Sequence, residues 1–146
     1  MPNGTRTELH ARLLALCEAF RASGHIDCDA VLDARHTRFD DEVGEVVYRT
    51  VRELLTNVLK HAHASRVEIS SVRRRDGSIG IVVADNGIGL PPHRRRGKPF
   101  DETSGTGLWS IDRQLRGLNA MLDVEAAAGQ GTRAMIILPA HLLVGD

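Results

Sequence analysis

An α+β domain is what the sequence predicts, and two observations predict it. Apolar residues recur at helical spacing in three separate stretches, and five short runs of β-type residues accompany them. Four of those runs fall into two pairs around glycine-containing turns, which makes most of the sheet antiparallel.

The elements follow in order. Thr5 and Glu8 form a capping box ahead of Leu9, Leu13, Leu16 and Phe20, and Ser23-Gly24 supplies the stop, which gives a first amphipathic helix. Ile26, Cys28, Ala30 and Leu32 alternate with polar residues as in a half-buried strand. Asp40-Asp41-Glu42 then places negative charge where a helix N-terminus favours it. Val43, Val47, Val51, Leu54, Val58 and Ala62 trace one apolar face of a second helix, the longest and clearest of the three. Val67, Ile69 and Val72 mark a strand, Arg75-Asp76-Gly77-Ser78 a hairpin turn, and Ile79 to Ala84 its buried partner, so Asp85 stands at a strand end. From 90 to 104 nothing is periodic, and a stretch of that length inside a compact domain reads as a functional lid or as disordered. A third helix runs from Gly107 with Leu108, Ile111, Leu115 and Leu118 on its apolar side. Met121 to Ala127 and Thr132 to Leu138 close the sheet around Gly129-Gln130-Gly131.

At 146 residues and 42% hydrophobic, the chain fits a single domain, residues 1–146, with a core that needs no staples. Nineteen basic and nineteen acidic residues cancel, which leaves no electrostatic footprint for nucleic acid or for direct contact with an anionic membrane. Cys17 and Cys28 have neither metal-ligand spacing nor a disulfide framework and read as reduced thiols of a cytoplasmic protein. No apolar run approaches the roughly 18 residues that span a bilayer, and the start is no signal peptide. The expectation is a soluble cytoplasmic domain, compatible with being the cytoplasmic part of a larger, membrane-anchored sensor.

Three islands carry the chemistry: Glu53-x-x-x-Asn57-x-x-x-His61-Ala62, Asp85-Asn86-Gly87-Ile88-Gly89 and Gly105-Thr106-Gly107-Leu108. Each alone is a weak signal, but their order and the strands between them describe a nucleotide site. On the second helix Glu53, Asn57, Lys60 and His61 lie at i, i+4, i+7 and i+8, one stripe distinct from the apolar face. A charged stripe is most often solvated surface; beside the other islands it reads as functional. The Asn57 amide oxygen suits magnesium, an ion that takes most ligands from phosphates and water. Lys60 meets a phosphate as a point charge, and His61 beside it is a second phosphate contact. Glu53 polarises a nucleophile or orients Asn57. Asp85 ends a run of buried β residues, where a carboxylate needs a partner, and the exocyclic amine of adenine supplies one while the carbonyl of guanine repels it. The plain alternative is a turn aspartate. Gly87 and Gly89 let backbone approach a flat ring. Gly105 and Gly107 open a helix whose free amides bind anions. Thr132 supports Asp85 through water or is an ordinary strand residue, and the basic run His93 to Lys98 is mainly solvated charge. Trp109 and Tyr48 read as core.

These islands resemble the N, G1 and G2 boxes of the GHKL ATPase superfamily. The run from Tyr48 to Ala62 is most similar to sensor histidine kinases of the nitrate/nitrite-sensor and lipid-desaturase-regulator type, and the resemblance extends from about Glu42 to Pro139. It implies a two-layer α/β sandwich, the Bergerat ATP-binding fold, with a mixed, mostly antiparallel sheet of about five strands covered on one face by about three helices. It also implies ATP or ADP with magnesium at Asn57, adenine read by Asp85, catalytic roles at Glu53 and Asn57, and nucleotide contacts from Lys60, His61, Gly87, Gly89, Gly105, Thr106, Gly107, Leu108 and Thr132. Members transfer the γ-phosphoryl group to a histidine on a separate dimerisation helix pair, and from there to a response-regulator aspartate. Two departures touch packing or partner surfaces: Leu118-Asn119-Ala120 stands for Leu-Gly-Gly, and Ile111-Asp112-Arg113-Gln114 for Met-Arg-Glu-Arg. His10 lacks an acidic neighbour and reads as an ordinary exposed helical histidine, so the phosphoacceptor module is expected elsewhere. The alternative reading is an anti-sigma factor of the serine-kinase type, an ATP-dependent binding switch.

Overall fold

The computed structural model describes residues 4–23, 26–62, 64–87, 108–126 and 131–144. In these, helices α1 (Gly4–Ala22), α2 (Asp41–Asn57) and α3 (Leu108–Gly117) accompany strands β1 (Asp27–Val31), β2 (Arg66–Arg73), β3 (Ile79–Asp85), β4 (Met121–Ala126) and β5 (Thr132–Leu138). The strands form one sheet in the order β1-β2-β3-β5-β4. Only β1 and β2 pair in parallel; the other pairs are antiparallel. The expected mixed five-stranded sheet with three helices is what forms.

Strand β3 takes the centre because it can be buried on both faces. Ile79, Gly80, Ile81, Val82 and Val83 are all buried, a continuous run rather than an alternation. On the helical face Ile79, Ile81 and Val83 join Ile69, Ile136 and Leu138 in the core with Leu13, Val47 and Val51 of the helices. Burial of each such side chain contributes about 1.5–3 kcal/mol. On the opposite face Met135 and Val72 lie over Gly80, where an added Cβ would come within 3.0 Å of the Met135 sulfur and 3.1 Å of Val72.

Helix α2 begins as its sequence requires. The Asp40 carboxylate accepts from the Val43 amide at 3.0 Å, and Asp41 and Glu42 lie in the first turn against the positive end of the helix dipole. Val43, Val47, Val51, Leu54 and Leu55 then face the core. At Asn57 the regular helix ends and one π-helical turn, Val58–Ala62, continues it. Helix α1, with 19 residues, is longer than the 17 of α2, and it is already formed at Gly4, so Thr5 lies inside it rather than at its cap. His10 is half-buried rather than exposed, with Nδ1 buried and without a partner.

The departure at Leu118-Asn119-Ala120 has a local explanation. Asn119 has φ of 62°, the left-handed region in which asparagine substitutes for glycine. The Ala120 amide donates to the Leu115 carbonyl at 2.8 Å and the Asn119 amide to the Arg116 carbonyl at 3.0 Å. This is a Schellman closure of α3, so the chain turns into β4 without the glycine pair. Tyr48 and Trp109 pack half-buried against the core, and each carries an arginine over its ring, Arg12 at 3.8 Å and Arg113 at 5.0 Å.

Candidate nucleotide-binding site

The best-defined part of the site lies where β3 ends and β5 begins. Asp85 closes β3 opposite Val67 of β2 and is only 9% exposed. Burial pushes its carboxyl above the ordinary range, and backbone hydrogen bonds from Gly87 and Thr132 oppose that shift by favouring the charged form. The Gly87 amide donates to Asp85 Oδ1 at 2.7 Å. The turn-aspartate alternative therefore describes one of its oxygens. The aspartate is nevertheless a buried acid with acceptor capacity beyond that turn.

Two neighbours complete this corner. Gly131, with φ of +85°, brings β5 so close that a Cβ there would lie 1.9 Å from the Asp85 carbonyl oxygen, a space only glycine leaves open. Thr132 follows, and its Oγ1 is buried without a hydrogen-bond partner. A buried, unpaired hydroxyl is costly unless a ligand or bridging water satisfies it. Asn86 does not face this corner's chemistry. Its Oδ1 accepts from the Ser65 and Arg66 amides at 3.0 and 2.9 Å, and its Nδ2 donates to Ser65 Oγ at 3.0 Å. That clasp fastens the end of β3 to the start of β2 and so fixes where Asp85 stands.

Helix α2 packs against both β3 and α3. Glu53 and Asn57 occupy successive turns at its C-terminal end, both half-buried. Lys60 is exposed and lies in the π turn. The stripe inferred from 3.6-residue periodicity therefore holds for Glu53 and Asn57. Lys60 follows in the π turn, whose wider spacing departs from that periodicity. The His61 side chain lies outside the described residues, as do Gly89, the 90–104 segment, Gly105, Thr106 and Gly107. Leu108, buried, opens α3. One feature of α3 was not anticipated: Asp112 is 1% exposed, with Oδ2 accepting from Arg116 Nε at 3.1 Å and Oδ1 unpaired. Nothing in the structure explains the unpaired oxygen.

Among the described residues no group of three or more histidine, cysteine or acidic side chains could hold a metal ion. The end of α2 offers instead the single Asn57 amide, with Lys60 three residues on in the π turn. Such a set fits an ion that receives its remaining ligands from phosphates and water. No helix among the described residues is long and apolar enough to cross a membrane.

Comparison with known proteins agrees with this arrangement. The family described as histidine kinase-, DNA gyrase B-, and HSP90-like ATPase matches residues 42–142. The oxygen sensor histidine kinase NreB of Staphylococcus carnosus (strain TM300) is 33% identical over 104 residues, which make up 70% of this chain and 28% of that protein. The histidine kinase domain of a blue-light-activated histidine kinase from Erythrobacter litoralis is 25% identical, with a TM-score of 0.71 over 91% of this chain and 61% of that one. Full-length ShkA in complex with AMPPNP shares the fold, with a TM-score of 0.68 at 20% identity over 90% of this chain and 29% of that one. The chain thus spans less than a third of the length of NreB.

Proposed function

Because the chain belongs to the histidine kinase-, DNA gyrase B-, and HSP90-like ATPase family, we propose that it is the ATP-binding catalytic domain of a two-component sensor histidine kinase. In this reading it transfers the γ-phosphoryl group of ATP to a histidine on a separate dimerisation module. A response regulator then receives the group on an aspartate. The observation that carries the reading is the corner made by Asp85, Gly131 and Thr132: a buried acid with spare acceptor capacity, a backbone approach that excludes any side chain, and an orphaned hydroxyl. Together these suit the exocyclic amine of adenine, with a water bridging to Thr132.

The remaining roles follow the chain away from that corner. Gly87 and Gly89 let backbone lie against the base. Asn57 would hold magnesium, which when bound neutralises charge on the phosphates. Lys60 and His61 add positive and hydrogen-bonding groups at the same end of α2. The amides around Gly105, Thr106, Gly107 and Leu108 receive phosphate oxygens at the start of α3. Glu53, one turn before Asn57, orients the Asn57 amide or accepts a proton from the incoming imidazole. Catalysis of phosphoryl transfer is mainly positioning and charge stabilisation, which this set supplies without a covalent residue of its own.

The test is phosphoryl transfer with radiolabelled ATP. Alone, the chain is expected to bind nucleotide and give negligible stable phosphohistidine. With the matching dimerisation module added, label should appear on that module's histidine, and Asn57→Ala should abolish it. Strong acid-labile labelling of the isolated chain on one of its own seven histidines would refute the division of labour. ATP-dependent capture of a sigma factor without histidine labelling would establish the binding-switch alternative.

A further inference from the structure

Cys17 and Cys28 show no framework in the sequence, yet the fold brings them together. Cys17 lies on α1 and Cys28 on the edge strand β1, both buried at 2% and 0% exposure. Across that seam the Cys17 thiol raises the proton affinity of the Cys28 thiol. Arg21, one turn after Cys17, clamps the junction: its Nη2 lies 4.0 Å from Cys17 Sγ, while Nε and Nη2 donate to the Cys28 carbonyl at 3.0 and 2.8 Å. One guanidinium thus bridges the Cys17 sulfur and the Cys28 backbone across a helix–strand seam.

We propose that Cys17 and Cys28 form an oxidation site that closes to an intramolecular disulfide, stapling α1 to β1, when the protein meets a two-electron thiol oxidant of the peroxide class. One cysteine gives up its proton and, as thiolate, attacks a peroxide oxygen; the O–O bond breaks, a sulfenic acid forms, and the hydroxide that leaves takes up the released proton as water. The second cysteine likewise ionises and attacks the sulfenic sulfur; the S–S bond forms, the S–O bond breaks, and the departing hydroxide takes up the second thiol proton as another water. The sulfur pair loses two electrons and hydrogen peroxide gains them. Closure brings the two sulfurs to about 2.05 Å. The staple joins the edge strand to the helix that packs on α2, and so reaches the helix that carries Glu53 and Asn57.

The same surroundings set the conditions. Burial, followed by the Cys17 thiol itself, pushes the Cys28 thiol far above its ordinary range, and Asp29 adds to this while Arg21 opposes it. Arg66 faces Asp29 at 3.9 Å and Glu18 faces Arg21 at 2.7 Å. Thiolate is therefore scarce, and closure waits on local opening of an edge strand and its helix. The expected reaction is slow near neutrality and several-fold faster in alkali.

The experiment treats the whole chain with hydrogen peroxide at about pH 7 and about pH 9, traps residual thiols with an alkylating agent, and reads intact mass and a non-reducing peptide map. The expected product has lost about 2 Da, contains a single Cys17–Cys28 cross-link, reverts with dithiothreitol, and melts several degrees higher than the reduced chain. Cys17→Ser and Cys28→Ser should each abolish the cross-link. Oxygen addition without a cross-link, disulfide-linked dimers, unreacted thiols after prolonged exposure at the higher pH, or a cross-linked form that melts lower than the reduced chain would each overturn the proposal.

Discussion

Replacing Asp85 by asparagine separates recognition from folding in one side chain. In the folded chain the carboxylate already accepts from Gly87 at 2.7 Å. An asparagine Oδ1 can keep that bond, so the turn into Gly87 should survive. What it loses is the charge, and its amide nitrogen presents a donor where the exocyclic amine of adenine also presents one. Loss of a charge-assisted bond costs about 1.5–3 kcal/mol, which converts to a roughly 10- to 150-fold weaker affinity for ATP. Discrimination against GTP should shrink at the same time. Stability moves the other way. The folded-state pKa of Asp85 is raised, chiefly by burial, so the folded protein holds this proton to a higher pH than the unfolded chain. The cost of charging it appears as pH rises from the ordinary carboxylate range through the raised value, and is fully present at neutrality. The melting temperature of Asp85→Asn relative to wild type should therefore be more favourable near pH 7 than near about pH 4. Isothermal calorimetry with ATP and GTP, and melting curves across that range, measure both. A folded Asp85→Asn protein with unchanged ATP affinity would remove Asp85 from the adenine role.

Two further substitutions test the neighbouring groups. Thr132→Val removes a buried hydroxyl that has no partner, so the apo protein should melt at the same temperature or higher, while ATP affinity falls by about 0.5–1.5 kcal/mol; a lowered melting point with unchanged affinity would make the hydroxyl purely structural. Asn57→Ala should weaken nucleotide binding far more with magnesium present than with a chelator, and equal losses under both conditions would place the side chain in the fold rather than in the metal link.

Much of the fold was legible because its signals are local and periodic. The Asp40 cap and the Val43 to Leu54 face define α2 within one stretch of sequence, and the buried run Ile79 to Val83 marks the central strand. The parts that escaped depend on backbone geometry or on distant segments meeting. The π turn at Val58 leaves no trace in apolar spacing, since Val58 itself still lies on the apolar face. The partners of Asn86, Ser65 and Arg66, lie across the sheet, so nothing in the local sequence announces its clasp. Gly131 was visible only as one of two glycines in a turn; its placement just before Thr132 was the one available signal that β5 approaches Asp85. Cys17 and Cys28 meet because α1 folds back along β1, which spacing alone does not reveal.

The site's two ends are built on different kinds of support, and this has a consequence for how variants should behave. On the proposed function the adenine end rests on sheet register: Asp85 is fixed by pairing with β2, by the Asn86 clasp and by the close approach of Gly131. Such an arrangement is set when the sheet forms and needs no ligand to assemble it, so nucleotide affinity should depend on it directly. On the same reading the phosphate end draws on the end of α2 and the start of α3, helices that pack on each other rather than on a shared ladder. A helix terminus shifts more readily than a central strand, because fewer backbone bonds restrain it. On the proposed function, substitutions around Asp85 therefore act chiefly on binding. Substitutions around Glu53 and Asn57 act on the alignment of the γ-phosphoryl group with its acceptor, and should lower transfer at saturating nucleotide more than they lower affinity.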